Sequence, residues 1–232
     1  MNYKELEYKN IFDLIPKNLE NYEYINRLVI VISEILYERI SFVRNSNNNL
    51  KRQEFFDYLK TKIIEICDKN KIKANTITYI GCGHTSIVLK LGDYALKVSK
   101  ESSDNTKFKI NNLPVLIPVY LKESFKVSEN EYYSLQLSPL VNTDNLTEED
   151  VYEVYKRARE KGYIWNDPKI ENIGRINNNI FIIDLEDLAY VGKTISDELL
   201  EEISMTSYNR NTYIYEERYT KELNDIQTRK AI

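Results

Sequence analysis

The chain has 232 residues, of which 42% are hydrophobic and 29% are charged, and this balance predicts a folded globular protein rather than a disordered one. Its 32 basic and 36 acidic side chains give a formal net charge of −4, so we do not expect a nucleic-acid-binding protein that works through bulk positive charge. The longest unbroken apolar run, residues 28–32, is too short to span a bilayer.

Other features of the composition narrow the class of protein further. Two cysteines and one histidine provide neither a disulfide framework nor a His-rich metal site. The first residues are charged and lack the apolar segment of a signal peptide, so we expect a cytoplasmic protein.

Residues 1–75 are predicted to be a helical N-terminal extension. Apolar residues recur at helical spacing over 25–36 and again over 55–66. The asparagine-rich run 44–49 interrupts this pattern and predicts a loop between two helices.

Residues 76–142 are predicted to contain a small antiparallel sheet. Three short stretches rich in β-branched and aromatic residues, 76–80, 86–91 and 94–98, predict strands. The pair Gly92-Asp93 fits a tight hairpin turn between the last two. Two more strands are predicted at 115–120 and 132–140.

Residues 143–232 are predicted to be mainly helical. Thr147 and Asp150 form a capping-box pattern at a helix start, and Gly162 is placed to end that helix. An irregular segment and then a hairpin that pairs 173–176 with 180–183 are predicted to follow. The polar tail from about residue 196 is again predicted to be helical.

Two features of the predicted sheet suit a phosphate group. Gly81 and Gly83 lie at a turn between strands, where the missing Cβ atoms let backbone N–H groups approach an anion. Lys97, two residues after Ala95, lies on a strand between apolar neighbours, where an ammonium group needs an anion. An ordinary hairpin turn and a lysine that points to solvent are the alternatives. The strand-turn-strand setting argues against a dinucleotide fold, and the chain has no P-loop motif.

The strongest chemical signal lies after the predicted helix that Gly162 ends. Asp167, Lys169 and Asn172 have the spacing Asp-x-Lys-x-x-Asn, and Asp184 follows the predicted hairpin, which would bring it back beside Asn172. Phosphoryl transfer needs a carboxylate to orient the attacking hydroxyl, cations to hold phosphate charge and oxygen ligands for Mg²⁺. A surface loop with scattered acids would explain each residue but not the order of the motifs.

In this order of glycine turn, strand lysine, Asp-x-Lys-x-x-Asn, hairpin and aspartate, the chain resembles the protein kinase-like superfamily, in particular its small atypical members. The resemblance implies a bilobal α+β fold, with residues 76–142 as the N-lobe that covers the nucleotide and 143–232 as a reduced C-lobe. It also implies ATP and Mg²⁺, or Mn²⁺, as cofactors. The residues implied to contact the nucleotide are Gly81, Gly83, Ser86, Val88, Ala95 and Lys97.

The resemblance also assigns roles to four further residues by position. Asp167 would be the catalytic base and Lys169 would steady the transferring phosphate, while Asn172 and Asp184 would hold the metal. The implied reaction moves the γ-phosphate of ATP to a hydroxyl acceptor, which is a protein or a small molecule.

The chain departs from the family at several motifs. Ser86 replaces the third glycine of the loop, and Trp165-Asn166 stand where His-Arg is usual. Leu-Glu rather than Phe-Gly follows Asp184, and no Ala-Pro-Glu segment is present after it. The glutamate partner of Lys97 is open between Glu101 and a glutamate of the N-terminal helices. These departures leave two other functions open: a pseudokinase-like nucleotide-binding or scaffold protein, and an enzyme that transfers AMP.

Overall fold

A computed structural model describes residues 3–40, 49–101, 113–129, 131–185, 188–205 and 210–230. Over these ranges the chain is a mixed α+β protein with an antiparallel sheet and helices. The helices are α1 Tyr3–Asp13, α2 Asn21–Ile40, α3 Asn49–Asn70, α4 Glu148–Glu160, α5 Asp197–Met205 and α6 Arg210–Lys230. The strands are β1 Thr78–Cys82, β2 Ser86–Leu91, β3 Tyr94–Glu101, β4 Leu121–Ser128, β5 Glu131–Pro139, β6 Tyr163–Trp165, β7 Ile173–Ile176, β8 Asn179–Ile182 and β9 Leu188–Tyr190. None of the helices described here combines the length and the apolar character that a membrane crossing requires.

The chain divides into two compact units. Unit 1 contains Met1–Lys109 and Pro118–Leu140, and unit 2 contains Ile110–Ile117 and Val141–Ile232. In unit 1 the N-terminal helices share one hydrophobic core with the sheet. That residues 1–75 form a separate extension stays a prediction. The predicted loop at 44–49 lies largely outside the described residues.

The sheet of unit 1 has five antiparallel strands in the order β1-β2-β3-β5-β4. The predicted strands at 86–91, 94–98 and 132–140 are confirmed as β2, β3 and β5 within a few residues, and 76–80 corresponds to β1 shifted by two. The hairpin at Gly92-Asp93 is also confirmed, since Leu91 pairs with Tyr94 and Gly92 has a φ of 58°. Glycine is suited to this position because it adopts positive φ without steric cost.

The predicted strand at 115–120 is wrong. The strand is β4, which begins at Leu121, whereas Val115 and Ile117 are buried in unit 2 and exchange backbone hydrogen bonds with Ile182. Pro118 lacks the N–H that a strand ladder requires, so the apolar run before it cannot continue into the sheet. The alternation of lysine and serine with apolar residues in β4 is the pattern of a half-buried edge strand, and the sequence analysis did not use it.

The strands alternate their side chains between two faces, and one face is apolar. Helices α2 and α3 pack on that face. Tyr24 of α2 donates a hydrogen bond to the Ile77 carbonyl at 3.0 Å, and Phe55 of α3 stacks on Tyr133 with ring centroids 4.2 Å apart. The buried strand residues of this face are Ile87, Leu89, Leu91, Leu96, Val98, Val127, Tyr133, Leu135 and Leu137.

Unit 2 contains the helix and hairpin that the sequence predicts. The side chain of Thr147 accepts from the Asp150 N–H and that of Asp150 accepts from the Thr147 N–H, which confirms the capping box of α4. Gly162, with a φ of 85°, follows the end of this helix. Strands β7 and β8 form the predicted hairpin, and α5 and α6 confirm the helical tail. The two-stranded pair of β6 and β9 is not predicted by the sequence.

A buried ion pair lies at the centre of unit 2. Arg159 of α4 and Glu216 of α6 are almost fully buried, and Nε lies 2.7 Å from Oε2. The guanidinium also donates to the carbonyls of Gly192 at 2.9 Å and Lys193 at 3.2 Å. Tyr155 donates its hydroxyl hydrogen to the same Glu216 carboxylate at 2.8 Å. Burial, and then the nearby negative charge of Glu216, raise the pKa of Tyr155 well above its usual range.

We expect Glu216→Ala to destabilise unit 2, because the Arg159 guanidinium would stay buried without its counter-charge. The expected loss in free energy of unfolding is about 3–5 kcal/mol, measured by urea denaturation. The control is Glu149→Ala, which breaks an exposed ion pair with Arg218 that has the same 2.7 Å separation. Exposed pairs contribute little, so equal losses in the two variants would contradict the importance of burial.

The two cysteines provide a test of the unit 1 core. Cys67 is buried among the residues of α2 and α3, and burial raises the pKa of its thiol to about 11, with a smaller contribution from Asp68. Cys82 is only half-buried, so at pH 8 we expect a thiol-disulfide reagent to label Cys82 rapidly and Cys67 only after unfolding. Cys82→Ser should abolish the fast phase and Cys67→Ser should keep it. Equal native-state rates for the two thiols would show that the core is open.

Candidate functional site

The segment that carries Asp167 is held between two ordered elements of unit 2. Strand β6 leads into it and ends at Trp165, whose side chain is fully buried. A single 3₁₀ turn, Ile170–Asn172, leads out of it into β7. Pro168, also buried, restricts the backbone between Asp167 and Lys169. The polar residues therefore project from a short loop whose two ends are anchored in the core.

Three of the predicted site residues are brought together in this loop. The Asn172 amide Nδ2 donates to Asp167 Oδ2 at 2.7 Å and to the Asp167 carbonyl at 3.0 Å. Lys169 Nζ lies 2.5 Å from the same Oδ2. Among the described residues these contacts converge on one carboxylate oxygen, so Oδ1 is the oxygen that can accept a proton from another group.

The hairpin of β7 and β8 returns the chain to Asn172. Ile173 pairs with Ile182, and the Ile183 N–H donates to the Asn172 carbonyl at 2.9 Å. Asp184 comes next, immediately before the buried Leu185. The predicted return of Asp184 to the neighbourhood of Asn172 follows from this backbone pairing.

Asn172 and Asp184 provide oxygen ligands of the kind that Mg²⁺ prefers. Because the Asn172 amide nitrogen is committed to Asp167, its amide oxygen is the atom left to coordinate a cation. Over the described part of the chain, no group of three or more His, Cys, Asp or Glu side chains is arranged to hold a metal ion. A pair of protein oxygens fits Mg²⁺, which commonly takes one or two protein ligands together with substrate phosphates and water.

The other six predicted residues belong to unit 1. Gly81 pairs with Val88 across β1 and β2, and the Gly83 N–H donates to the Ser86 carbonyl at 2.8 Å to close the turn between the strands. A Cβ atom at Gly83 would lie 3.1 Å from Ser86 Oγ, so the turn has little space for a larger residue. Lys97 lies on the central strand β3, directly opposite Val88. Their roles toward a nucleotide stay predictions.

The sheet face that carries Lys97 is polar. The register places Ser86, Ser99, Ser134 and Ser124 in one row across β2, β3, β5 and β4. The next row contains Lys97 and, beyond β5, Lys122. Ser138 lies beside Ala95 on the same face. The sequence analysis did not predict this row, although serines that are two or four residues apart in a strand lie on the same face.

The register also bears on the partner of Lys97. Helices α2 and α3 pack on the opposite, apolar face, so their described glutamates, Glu23, Glu34, Glu54 and Glu65, lie on the other side of the sheet from Lys97. Glu101 shares the face of Lys97, four residues farther along β3, which separates their Cα atoms by about 13 Å. Its buried carboxylate accepts a hydrogen bond from Ser134 Oγ. Compared with the described glutamates of α2 and α3, Glu101 is the one on the face of Lys97.

Gly174 is a second feature that sequence reasoning missed. It lies on β7 two residues after Asn172, and a Cβ atom there would lie 2.3 Å from Val141 Cγ2. Beside it, Asn142 and Arg175 exchange backbone hydrogen bonds of 2.9 and 2.8 Å. Glycine at this position therefore allows the 141–142 segment to lie directly against β7.

We expect Gly174→Ala to destabilise unit 2, because the short, stiff side chain of Val141 cannot move away from the added methyl group. Overpacking of this kind costs about 1–3 kcal/mol, which thermal or urea denaturation would detect. Gly81→Ala is the matched control, since a Cβ atom at Gly81 has no neighbour within 4 Å. A Gly174→Ala protein as stable as the Gly81→Ala protein would contradict the close approach.

Comparisons with known proteins found only a weak similarity to solved structures. No protein-family model and no curated protein sequence matches the chain. Among solved structures, the Legionella pneumophila effector kinase LegK7 in complex with human MOB1A matches 80% of this chain and 51% of its own, with 12% identity and a TM-score of 0.33. The crystal structure of LegK7 alone matches 84% of this chain and 57% of its own, with 11% identity and a TM-score of 0.32. The chain thus spans little more than half the length of these structures, and the similarity is too low to assign a function.

Proposed function

We propose that the protein is a phosphotransferase of the kinase-like type that uses ATP and Mg²⁺ and transfers the γ-phosphate to a hydroxyl acceptor. The observation that carries the proposal is the contact set of Asp167, Lys169 and Asn172, together with the hairpin that returns Asp184 to Asn172. The register of unit 1 supports it independently, since a glycine turn joins β1 and β2 and Lys97 lies on the third strand.

Asp167 is the proposed base. Lys169 and Asn172 both contact Oδ2, which orients the carboxylate, and Oδ1 would then accept the proton of the acceptor hydroxyl. Such positioning is the main contribution that a protein makes to phosphoryl transfer, since the transition state needs little covalent help.

We propose that the negative charge of the phosphate groups is stabilised by Lys169 directly and by Asn172 and Asp184 through Mg²⁺. Lys169 is 42% exposed at its side chain, so its ammonium can reach a phosphate while it stays close to Asp167. Mg²⁺, held by the oxygens of Asn172 and Asp184, would neutralise the charge on the phosphates that ATP supplies. In unit 1, Lys97 lies on the polar face of the sheet. A polar face can donate hydrogen bonds to phosphate groups, whereas an apolar face cannot.

We expect Asp167→Ala and Asp184→Ala to lower ATP turnover or autophosphorylation in the presence of Mg²⁺ or Mn²⁺. Loss of a positioned base costs about 10²- to 10⁴-fold in rate, and loss of a metal ligand should have a comparable effect. The matched control is Glu171→Ala, which removes an exposed carboxylate from the same loop and should leave turnover unchanged. Equal turnover in wild type and in all three variants would exclude the proposed roles.

Binding measurements separate the proposal from the alternatives left by the sequence. A thermal shift with ATP and Mg²⁺ but without turnover would indicate a nucleotide-binding scaffold, because a ligand that binds only the folded state stabilises it. An added AMP rather than a phosphate, found by mass spectrometry of the product, would indicate nucleotidyl transfer.

A further inference from the structure

The first turn of α6 contacts the loop that carries Asp167. Thr212 is fully buried, and its Oγ1 donates a hydrogen bond to the Trp165 carbonyl at 3.0 Å. One residue earlier in the helix, the Asn211 amide donates to the Pro168 carbonyl at 3.4 Å. The two acceptors lie on either side of Asp167, so α6 contacts the loop both before and after the proposed base.

Helix α6 is itself firmly anchored. Glu216, one turn after Thr212, forms the buried ion pair with Arg159 of α4. Tyr215 donates its hydroxyl hydrogen to Glu148 at the start of α4. A hydroxyl on a helix held in this way has a defined position, whereas a hydroxyl on an exposed loop does not.

The Thr212 hydrogen bond acts on the backbone rather than on the reacting groups. The Trp165 carbonyl is two residues before Asp167, and its orientation determines how the chain enters the loop. Asn172 and Lys169 hold the carboxylate from the other side. The backbone before Asp167 and the side chain of Asp167 are therefore held by different elements of unit 2.

We propose that Thr212 is a positioning residue, through which the C-terminal helix α6 holds the Asp167 loop in the geometry that phosphoryl transfer requires. The inference rests on the proposed function for its catalytic consequence. The contact itself can be tested without turnover, because Trp165 is the only tryptophan of the chain and its fluorescence reports on this segment.

The test compares Thr212→Val with Thr212→Ser in the full chain. Valine matches threonine in shape but lacks the hydroxyl, whereas serine keeps the hydroxyl. Thr220→Val is the control, since it makes the same change at an exposed position of the same helix. ATP turnover with Mg²⁺, and acrylamide quenching and emission maximum of Trp165, are measured at a temperature where circular dichroism shows every variant folded.

We expect Thr212→Val to lower kcat at least about tenfold with the KM for ATP unchanged, because small displacements of a catalytic group are costly in rate while the nucleotide contacts stay in place. Trp165 should also become easier to quench. Thr212→Ser and Thr220→Val should behave as wild type in both measurements. The inference is overturned if a folded Thr212→Val protein has the kcat and the Trp165 quenching of wild type. In that case the Thr212 hydroxyl contributes only to stability, even if the melting temperature is lower.

The same experiment also covers two other outcomes. If the wild-type protein shows no turnover, the proposed function fails by itself, and the quenching of Trp165 alone decides whether Thr212 holds the loop. If Thr212→Val does not fold, Asn211→Ala tests the same loop from an exposed position. Raised quenching and a lower kcat in Asn211→Ala would support the inference, and wild-type values would overturn it.

Discussion

Unit 2 is organised around the buried ion pair of Arg159 and Glu216. A charged pair removed from water is stable only when its remaining donors and acceptors are satisfied, and here Tyr155 and the carbonyls of Gly192 and Lys193 satisfy them. This requirement places α4, α6 and the segment after β9 in one arrangement. The loop with Asp167 depends on that arrangement, since it begins at the end of β6 and contacts the first turn of α6.

Unit 1 follows a different constraint, which is the alternation of side chains across a sheet. The apolar face is covered by α2 and α3, and the opposite face carries the serine row and Lys97. A sheet with both faces apolar would need a second hydrophobic layer. The polar face instead carries hydroxyl groups and the Lys97 ammonium, and Ser86, Ser99 and Ser134 of the row are buried.

Local patterns account for most of the correct sequence predictions. The capping box at Thr147, the hairpin turn at Gly92 and the glycine that ends α4 depend on residues close together in the chain, and the structure contains all three. The failed strand before Leu121 depends on a distant partner. Val115 is apolar and suits a strand, but Ile182, sixty-seven positions away, is the residue that it bonds to.

The sequence by itself determined the spacing of Asp167, Lys169, Asn172 and Asp184, because those intervals are properties of the covalent chain. The contact of Asn172 with Asp167 is likewise local, over five residues. Only the tertiary structure decided that a buried threonine, forty-seven residues after Trp165, bonds to its carbonyl, and that the serines of four strands form one row. Such contacts depend on helix packing and strand register, which are set by the burial of many distant residues together.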